Sequence, residues 1–98
     1  MKKNQIKDHQ KFLIEQLKDP EVAVEYLNNA LSEKDNAMFL LALKNVVEAH
    51  GVSKIARKSK LNRENMYRIL SASGNPQLSS IMSLINSLGL SFSIRPAF

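Results

Sequence analysis

Apolar side chains recur at the spacing of an α-helix along most of this chain. In residues 20–33 and 36–50 they fall at intervals of three and four positions, which places them on one face of a helix. Asp19 and Asp35 stand just before these stretches, where a carboxylate can accept hydrogen bonds from the free amides of a helix start. We therefore predict two amphipathic helices, the second of which ends at Gly51.

Two much shorter helices follow, with very few residues between them. Ser53 can cap a helix over Lys54–Ser59, and Asn62 can cap another over Arg63–Leu70. Two short helices joined by so tight a turn are typical of a helix-turn-helix. The residues expected to lock the pair together are Ile55, Ala56, Leu61, Met66 and Ile69.

The two ends of the chain depart from this pattern. Met1–Gln10 is polar, so we expect it to be frayed and followed by at most a short helix over residues 12–17. At the other end, after a loop and a last helix over residues 78–88, apolar and polar residues alternate from Leu90 to Ile94. This alternation predicts a short strand. The expected fold class is all-α, with five to six helices and a short C-terminal β-strand.

Length and composition exclude several classes of function. A chain of 98 residues suits one compact domain, and the absence of cysteine excludes disulfides and thiolate chemistry. His9 and His50 lack the local spacing of metal ligands, and no catalytic Ser/His/Asp set or glycine-rich phosphate loop is evident, so we expect no enzyme, metal or cofactor. Because the longest apolar run is Ala37–Leu43 and no apolar segment follows the N-terminal lysines, we expect neither a membrane span nor a signal peptide, hence a cytoplasmic protein.

Positive charge is concentrated in the second half of the chain. Residues 1–50 contain seven Lys or Arg and eight Asp or Glu, whereas residues 51–98 contain seven Lys or Arg and only Glu64. A solvated basic surface would give this composition, and so would a surface that binds a polyanion. The lack of acids around the predicted helix-turn-helix favours nucleic acid as the partner.

The outward positions of the second short helix carry side chains that can read base edges. We predict base contacts from Arg63, Glu64, Asn65 and Arg68, because arginine suits guanine, asparagine suits adenine and glutamate can accept from cytosine. Tyr67 can contact the backbone of the duplex or pack inward, and Asn75 can contact phosphate or serve only as a turn residue. The predicted phosphate contacts are Ser53, Lys54, Arg57, Lys58, Lys60, Asn62, Tyr67 and Asn75.

Several segments form a more specific combination. They are Leu17-Lys18-Asp19-Pro20-Glu21, Glu25-Tyr26-Leu27-Asn28, Ser53-Lys54-Ile55-Ala56-Arg57, Arg63-Glu64-Asn65-Met66-Tyr67-Arg68-Ile69-Leu70, Gly74-Asn75-Pro76 and Leu88-Gly89-Leu90. Together they resemble the addiction-module antidote proteins, HigA-like antitoxins with an Xre-type helix-turn-helix. The resemblance covers about Phe12–Ala97 and departs from the family at Lys60, where glycine is usual.

The resemblance implies an Xre or lambda-repressor-like fold and a type II antitoxin. Such a protein neutralises a RelE/ParE-like toxin and binds double-stranded operator DNA as a homodimer to repress its own transcription. We expect the DNA-binding core in residues 35–89, a partner-binding helical extension in residues 1–34, and dimerisation through residues 90–98. The acidic first half is the natural surface for the toxin, and the segment up to Leu17 is expected to order when that partner binds.

A single strand leaves unpaired edges, which bears on the oligomeric state. The economical partner is the same strand of a second copy, with Leu90, Phe92 and Ile94 at the contact. The alternative is pairing with residues 12–14.

Two further functions remain open for the chain: a stand-alone Xre-type repressor without a toxin, and a protein-binding module whose helix-turn-helix does not bind DNA.

Overall fold

The computed structural model describes residues 3–71 and 74–98. Over these ranges the chain forms six helices and no strand, which confirms the all-helical class. The helices are α1 (Lys3–Gln16), α2 (Pro20–Ser32), α3 (Asn36–His50), α4 (Val52–Ser59), α5 (Arg63–Ile69) and α6 (Leu78–Ser87). None of the described helices is both long and apolar enough to cross a membrane.

The starts of α2 and α3 follow from the residues before them. The Asp19 carboxylate accepts a hydrogen bond from the Glu21 amide at 3.0 Å, and Pro20 occupies the first helical position. The Asp35 carboxylate accepts from the amide of Ala37 at 3.0 Å and from that of Met38. Both predicted caps are thereby confirmed.

The predicted start of α4 is wrong. Gly51, with φ 102°, ends α3 and also stands directly before Val52, the first residue of α4. Ser53 therefore lies inside the helix, and no side-chain oxygen caps its start. The chain turns from one helix into the next at a single residue, which a left-handed glycine permits.

The prediction of a frayed N-terminus is also wrong for the described residues. α1 extends over Lys3–Gln16 and packs on α3. Leu17 directly after it is fully buried, and the Gln10 side-chain amide donates a hydrogen bond of 3.0 Å to Asn45 of α3. These contacts between helices stabilise α1, and they are not visible in the pattern of the segment itself.

The core lies around α3, which contacts α1, α2 and α4, while α4 also contacts α5 and α6. Leu43 and Val46 of α3 are completely buried, as is Leu84 of α6, and Ile55 of α4 is nearly so. This packing fixes α4 and leaves α5 with one face against α4 and the other toward solvent.

The predicted C-terminal strand is absent. Leu90 packs against the core and its amide donates to the Ile85 carbonyl, but residues 91–98 are exposed and have no regular structure. A strand needs a backbone partner. The alternative partner considered for it, residues 12–14, lies in α1 and is helical, so it offers no free edge.

Candidate nucleic-acid interface

A turn of three residues joins α4 to α5. Lys60 adopts the left-handed conformation (φ 63°, ψ 26°), which glycine, the usual residue at this position in the family that the chain resembles, adopts without strain. The next amide, that of Leu61, donates to the Ala56 carbonyl at 3.1 Å. The Asn62 side chain then accepts a hydrogen bond of 2.7 Å from the Asn65 amide, which confirms it as the cap of α5.

The inner faces of α4 and α5 meet as predicted. Ile55, Ala56 and Met66 are buried, and Leu61 and Ile69 are partly buried against the core. The C-terminal end of α4 is also fixed to α6, because the Ser83 hydroxyl donates to the Ser59 carbonyl at 3.1 Å. The pair is therefore a rigid support for the residues on its outer side.

The predicted base-contact residues share the outer side of α5 but differ in exposure. Arg63, Glu64 and Arg68 are exposed, whereas Asn65 is half-buried. The Asn65 side-chain oxygen accepts a hydrogen bond from the Arg68 guanidinium. Asn65 therefore orients Arg68, a role that the sequence pattern did not indicate.

The predicted phosphate-contact residues lie on α4, on α5, in the turn between them and in the loop after α5. All eight are exposed: Ser53, Lys54, Arg57, Lys58, Lys60, Asn62, Tyr67 and Asn75. Among the described residues one ion pair forms, between Lys18 and Glu15 at the end of α1. Within that part of the chain, the cations of α4 and α5 therefore have no carboxylate partner. Their charge is thus available to an external anion.

Tyr67 is 39% exposed. Part of its side chain is buried and part is free to contact the duplex backbone, so its exposure is compatible with both of the roles that the sequence left open. The Lys44 ammonium of α3 lies 6.0 Å from the centroid of its ring, at the outer limit of a cation–π contact. Lys44 is a cation beside α5 that sequence reasoning missed. It comes from the acidic half of the chain, and only the packing of α3 brings it here.

Sequence reasoning placed Gly74 in a loop that carries the resemblance but assigned it no structural role. A Cβ atom at this position would lie 2.7 Å from the Ile69 carbonyl oxygen and 3.0 Å from those of Arg68 and Ser71. The loop therefore approaches the C-terminal end of α5 too closely for any side chain there. Ala72 and Ser73, which the sequence placed in the same loop, lie outside the described residues.

No group of His, Asp or Glu side chains in the described ranges has an arrangement that could hold a metal ion. The interface instead offers guanidinium, ammonium, amide and hydroxyl donors on a convex helical surface. Such groups bind anions and base edges.

Comparison with known proteins gives a family for the chain. A family profile described as "Probable addiction module antidote protein" matches residues 8–96. An uncharacterized protein of Haemophilus influenzae is 35% identical over 92 residues, an alignment that covers 85% of this chain and 95% of the relative. No solved structure matches the chain. The chain belongs to the family of probable addiction module antidote proteins.

Proposed function

We propose that this chain is the antitoxin of a type II module that neutralises a RelE/ParE-like toxin and represses its own operon. In this proposal α4 and α5 form an Xre-type helix-turn-helix, and α5 enters the major groove of operator DNA. Family membership supports the antitoxin role, and the geometry of the α4–α5 pair supports the role in DNA binding.

The observation that carries the DNA-binding part is the unpaired cationic surface of α4 and α5. Between residues 51 and 98 a single carboxylate, Glu64, accompanies seven Lys or Arg. Lys54, Arg57 and Lys58 are exposed on α4, and they would neutralise phosphates and release counterions.

The division of roles within α5 is part of the proposal. Arg63 and Arg68 would contact guanine in the major groove, with Arg68 held by its hydrogen bond to Asn65. The Glu64 carboxylate would accept a hydrogen bond from the amino group of cytosine. Asn65 would contact adenine only if its hydrogen bond with Arg68 were given up, so its positioning role is the one that the geometry favours.

Dimerisation is the second part of the proposal. Ile94 is fully exposed and Phe92 is 40% exposed, so the C-terminal segment presents apolar surface that a second copy can cover. Together with Leu90 they would form the dimer contact. A two-fold dimer would place its two α5 helices about 34 Å apart, one turn of DNA, and would bind a palindromic operator.

The test of DNA binding is titration of duplex DNA from upstream of the operon, read by fluorescence anisotropy at several salt concentrations. We expect specific binding that weakens steeply with salt and is lost in the Arg63→Ala/Arg68→Ala double variant. Lys11→Ala, which removes an exposed cation from α1, serves as the matched control and should bind as the wild type does. Equal binding by all three proteins would contradict the proposal.

The antitoxin part is tested by expressing the chain with the adjacent reading frame and tagging only one of the two proteins. We expect a stable complex and rescue of growth from the toxicity of the neighbour. A harmless neighbour that does not co-purify would favour a stand-alone repressor instead.

A further inference from the structure

A second surface, formed by α2 and α3, has the features of a protein-docking groove. It encloses about 270 Å³ and contains none of the predicted DNA-contacting residues. Met38 and Leu41, one turn apart on α3, are 45% and 53% exposed. The residues that line this α2–α3 groove are Tyr26, Asn29, Ala30, Glu33, Met38, Leu41 and Ala42. Adjacent exposed apolar side chains beside a concave surface are typical of an interaction site.

The floor of the α2–α3 groove is fixed by contacts within the chain. Ala30 and Ala42 are buried, and the Tyr26 hydroxyl accepts a hydrogen bond of 3.0 Å from the buried side chain of Asn45. A partner that binds here therefore meets a preformed surface, which lowers the entropic cost of binding. Met38 at the edge is unbranched and can adapt to the shape of the partner.

The net charge of α2, α3 and their flanking residues favours a basic partner for the α2–α3 groove. Residues 19–50 contain six carboxylates against Lys34 and Lys44, a net charge of −4, whereas the rest of the chain is net positive. Glu33 lines the groove, and Glu25 is exposed one position before Tyr26. An apolar side chain surrounded by Lys or Arg residues would complement this surface.

The chain's own C-terminal segment does not occupy this groove. That segment lies on the opposite side of α2, where Ser91 and Phe92 line a separate groove with Val24 and Leu31. The two apolar surfaces of α2 are therefore separate. The proposed dimer contact adjoins the groove that Phe92 lines, not the α2–α3 groove. The α2–α3 groove is left for a different partner.

We propose that the α2–α3 groove is the docking site of the module's toxin, a protein that inserts an apolar side chain beside Leu41 and places basic residues against Glu25 and Glu33. This inference rests on the proposed function, since family membership implies a toxin as partner.

The experiment uses the purified protein encoded by the adjacent reading frame as the probe, and it measures the dissociation constant of its complex with the full chain. We expect Leu41→Lys to weaken binding by at least about 30-fold, because it replaces an apolar contact by a charge that repels a basic partner. Leu41→Asp removes the same contact without the repulsion, so it should weaken binding less. Leu78→Lys, the same change at an exposed position of α6, should leave the constant within about two-fold of wild type.

Two further measurements separate a lost contact from a lost fold. Each variant is compared with wild type in its melting temperature and in operator binding, and both should be unchanged. In the wild-type complex, hydrogen exchange should slow at residues 38–42 on addition of the toxin. If wild type and Leu41→Lys bind the toxin equally well, the groove is not the docking site. The same conclusion follows if residues 38–42 gain no protection in the complex. Either result leaves the antitoxin role standing. A wild-type chain that binds no toxin would overturn both.

Discussion

The buried side chain of Asn45 donates a hydrogen bond of 3.0 Å to the Tyr26 hydroxyl and accepts one of the same length from Gln10. Three helices thus meet at one amide: α1 through Gln10, α2 through Tyr26, and α3 through Asn45 itself. Because Asn45 is only 5% exposed, water does not replace either partner when it is removed. This contact joins α1 and α2 to α3, the helix that packs against α4.

We expect Asn45→Ala to lower the free energy of unfolding by about 1–3 kcal/mol, since it leaves a small cavity and takes a partner from both Tyr26 and Gln10. Tyr26→Phe should cost less than Asn45→Ala, because it removes one of these hydrogen bonds. Urea unfolding followed by circular dichroism measures both. In the double variant the two losses should not add, because the residues share one contact. Additive losses would show that the hydrogen bond does not form in solution.

Gly74→Ala should disturb the position of α5. The added Cβ would lie 2.7 Å from the Ile69 carbonyl, so the loop or the helix end must move, at a cost of about 1–3 kcal/mol. Gly89→Ala is the control, because it strains a backbone with φ 77° but meets no atom within 4 Å. We expect both to lower stability and only Gly74→Ala to weaken operator binding in anisotropy titrations. Unchanged DNA binding by Gly74→Ala would show that the loop does not position α5.

Local chemistry explains which parts of the fold the sequence predicted well. The caps at Asp19, Asp35 and Asn62, and the left-handed residues Gly51 and Lys60, depend on neighbours within a few positions. The spacing of buried residues in the α4–α5 pair is equally local. Such features can be inferred from one segment at a time.

Other features depend on contacts between distant residues, and the sequence pattern did not show them. Gln10 and Leu17 hold α1 against α3, and the Lys44 side chain extends from α3 toward the Tyr67 ring of α5. Backbone carbonyls of α5 lie so close to Gly74 that no side chain fits there. The strand predicted from the alternation at Leu90–Ile94 needs a backbone partner that one chain does not provide.

Base and phosphate contacts should differ in their response to substitution. Arg63→Ala or Arg68→Ala should cost about 1–3 kcal/mol on the operator and relax the preference at one base position. Lys54→Ala or Lys58→Ala should weaken binding to all sequences alike. Each should also reduce the slope of log K against the logarithm of salt concentration by about one. Titrations against the operator and against scrambled duplexes distinguish the two patterns. Identical behaviour of all four variants would show the division of roles to be wrong.

Asn65→Ala should affect binding through Arg68. It leaves the guanidinium without its hydrogen-bond partner, so we expect the preference at the Arg68 base position to relax while the salt dependence stays unchanged. Asn65→Asp keeps an acceptor for Arg68 and should restore much of that preference. If Asn65→Ala instead changes the preference at a position that Arg68→Ala leaves alone, Asn65 contacts a base directly.

The C-terminal segment should determine the oligomeric state. Ile94 is fully exposed in the single chain, so Ile94→Asp leaves the fold intact and removes only surface available to a second copy. Light scattering should show a dimer for wild type and a monomer for Ile94→Asp, and the variant should bind a half-site about as well as a full palindrome. Phe12→Asp, at an exposed position of α1, should remain dimeric. A dimeric Ile94→Asp protein would place the contact elsewhere.

Lys34 and Lys60 form a matched pair of left-handed lysines, with φ 57° and 63°. Replacement of either by glycine relieves the backbone strain and should raise the free energy of unfolding by a similar amount, about 0.5–1 kcal/mol, because the gain is partly offset by the entropy of glycine. Only Lys60 stands in the turn between α4 and α5, so only Lys60→Gly should also flatten the salt dependence of operator binding, by about one unit. Urea unfolding and salt titrations of both variants measure these effects separately. If the two variants match in stability and also in salt dependence, Lys60 makes no phosphate contact and has only its role in the turn.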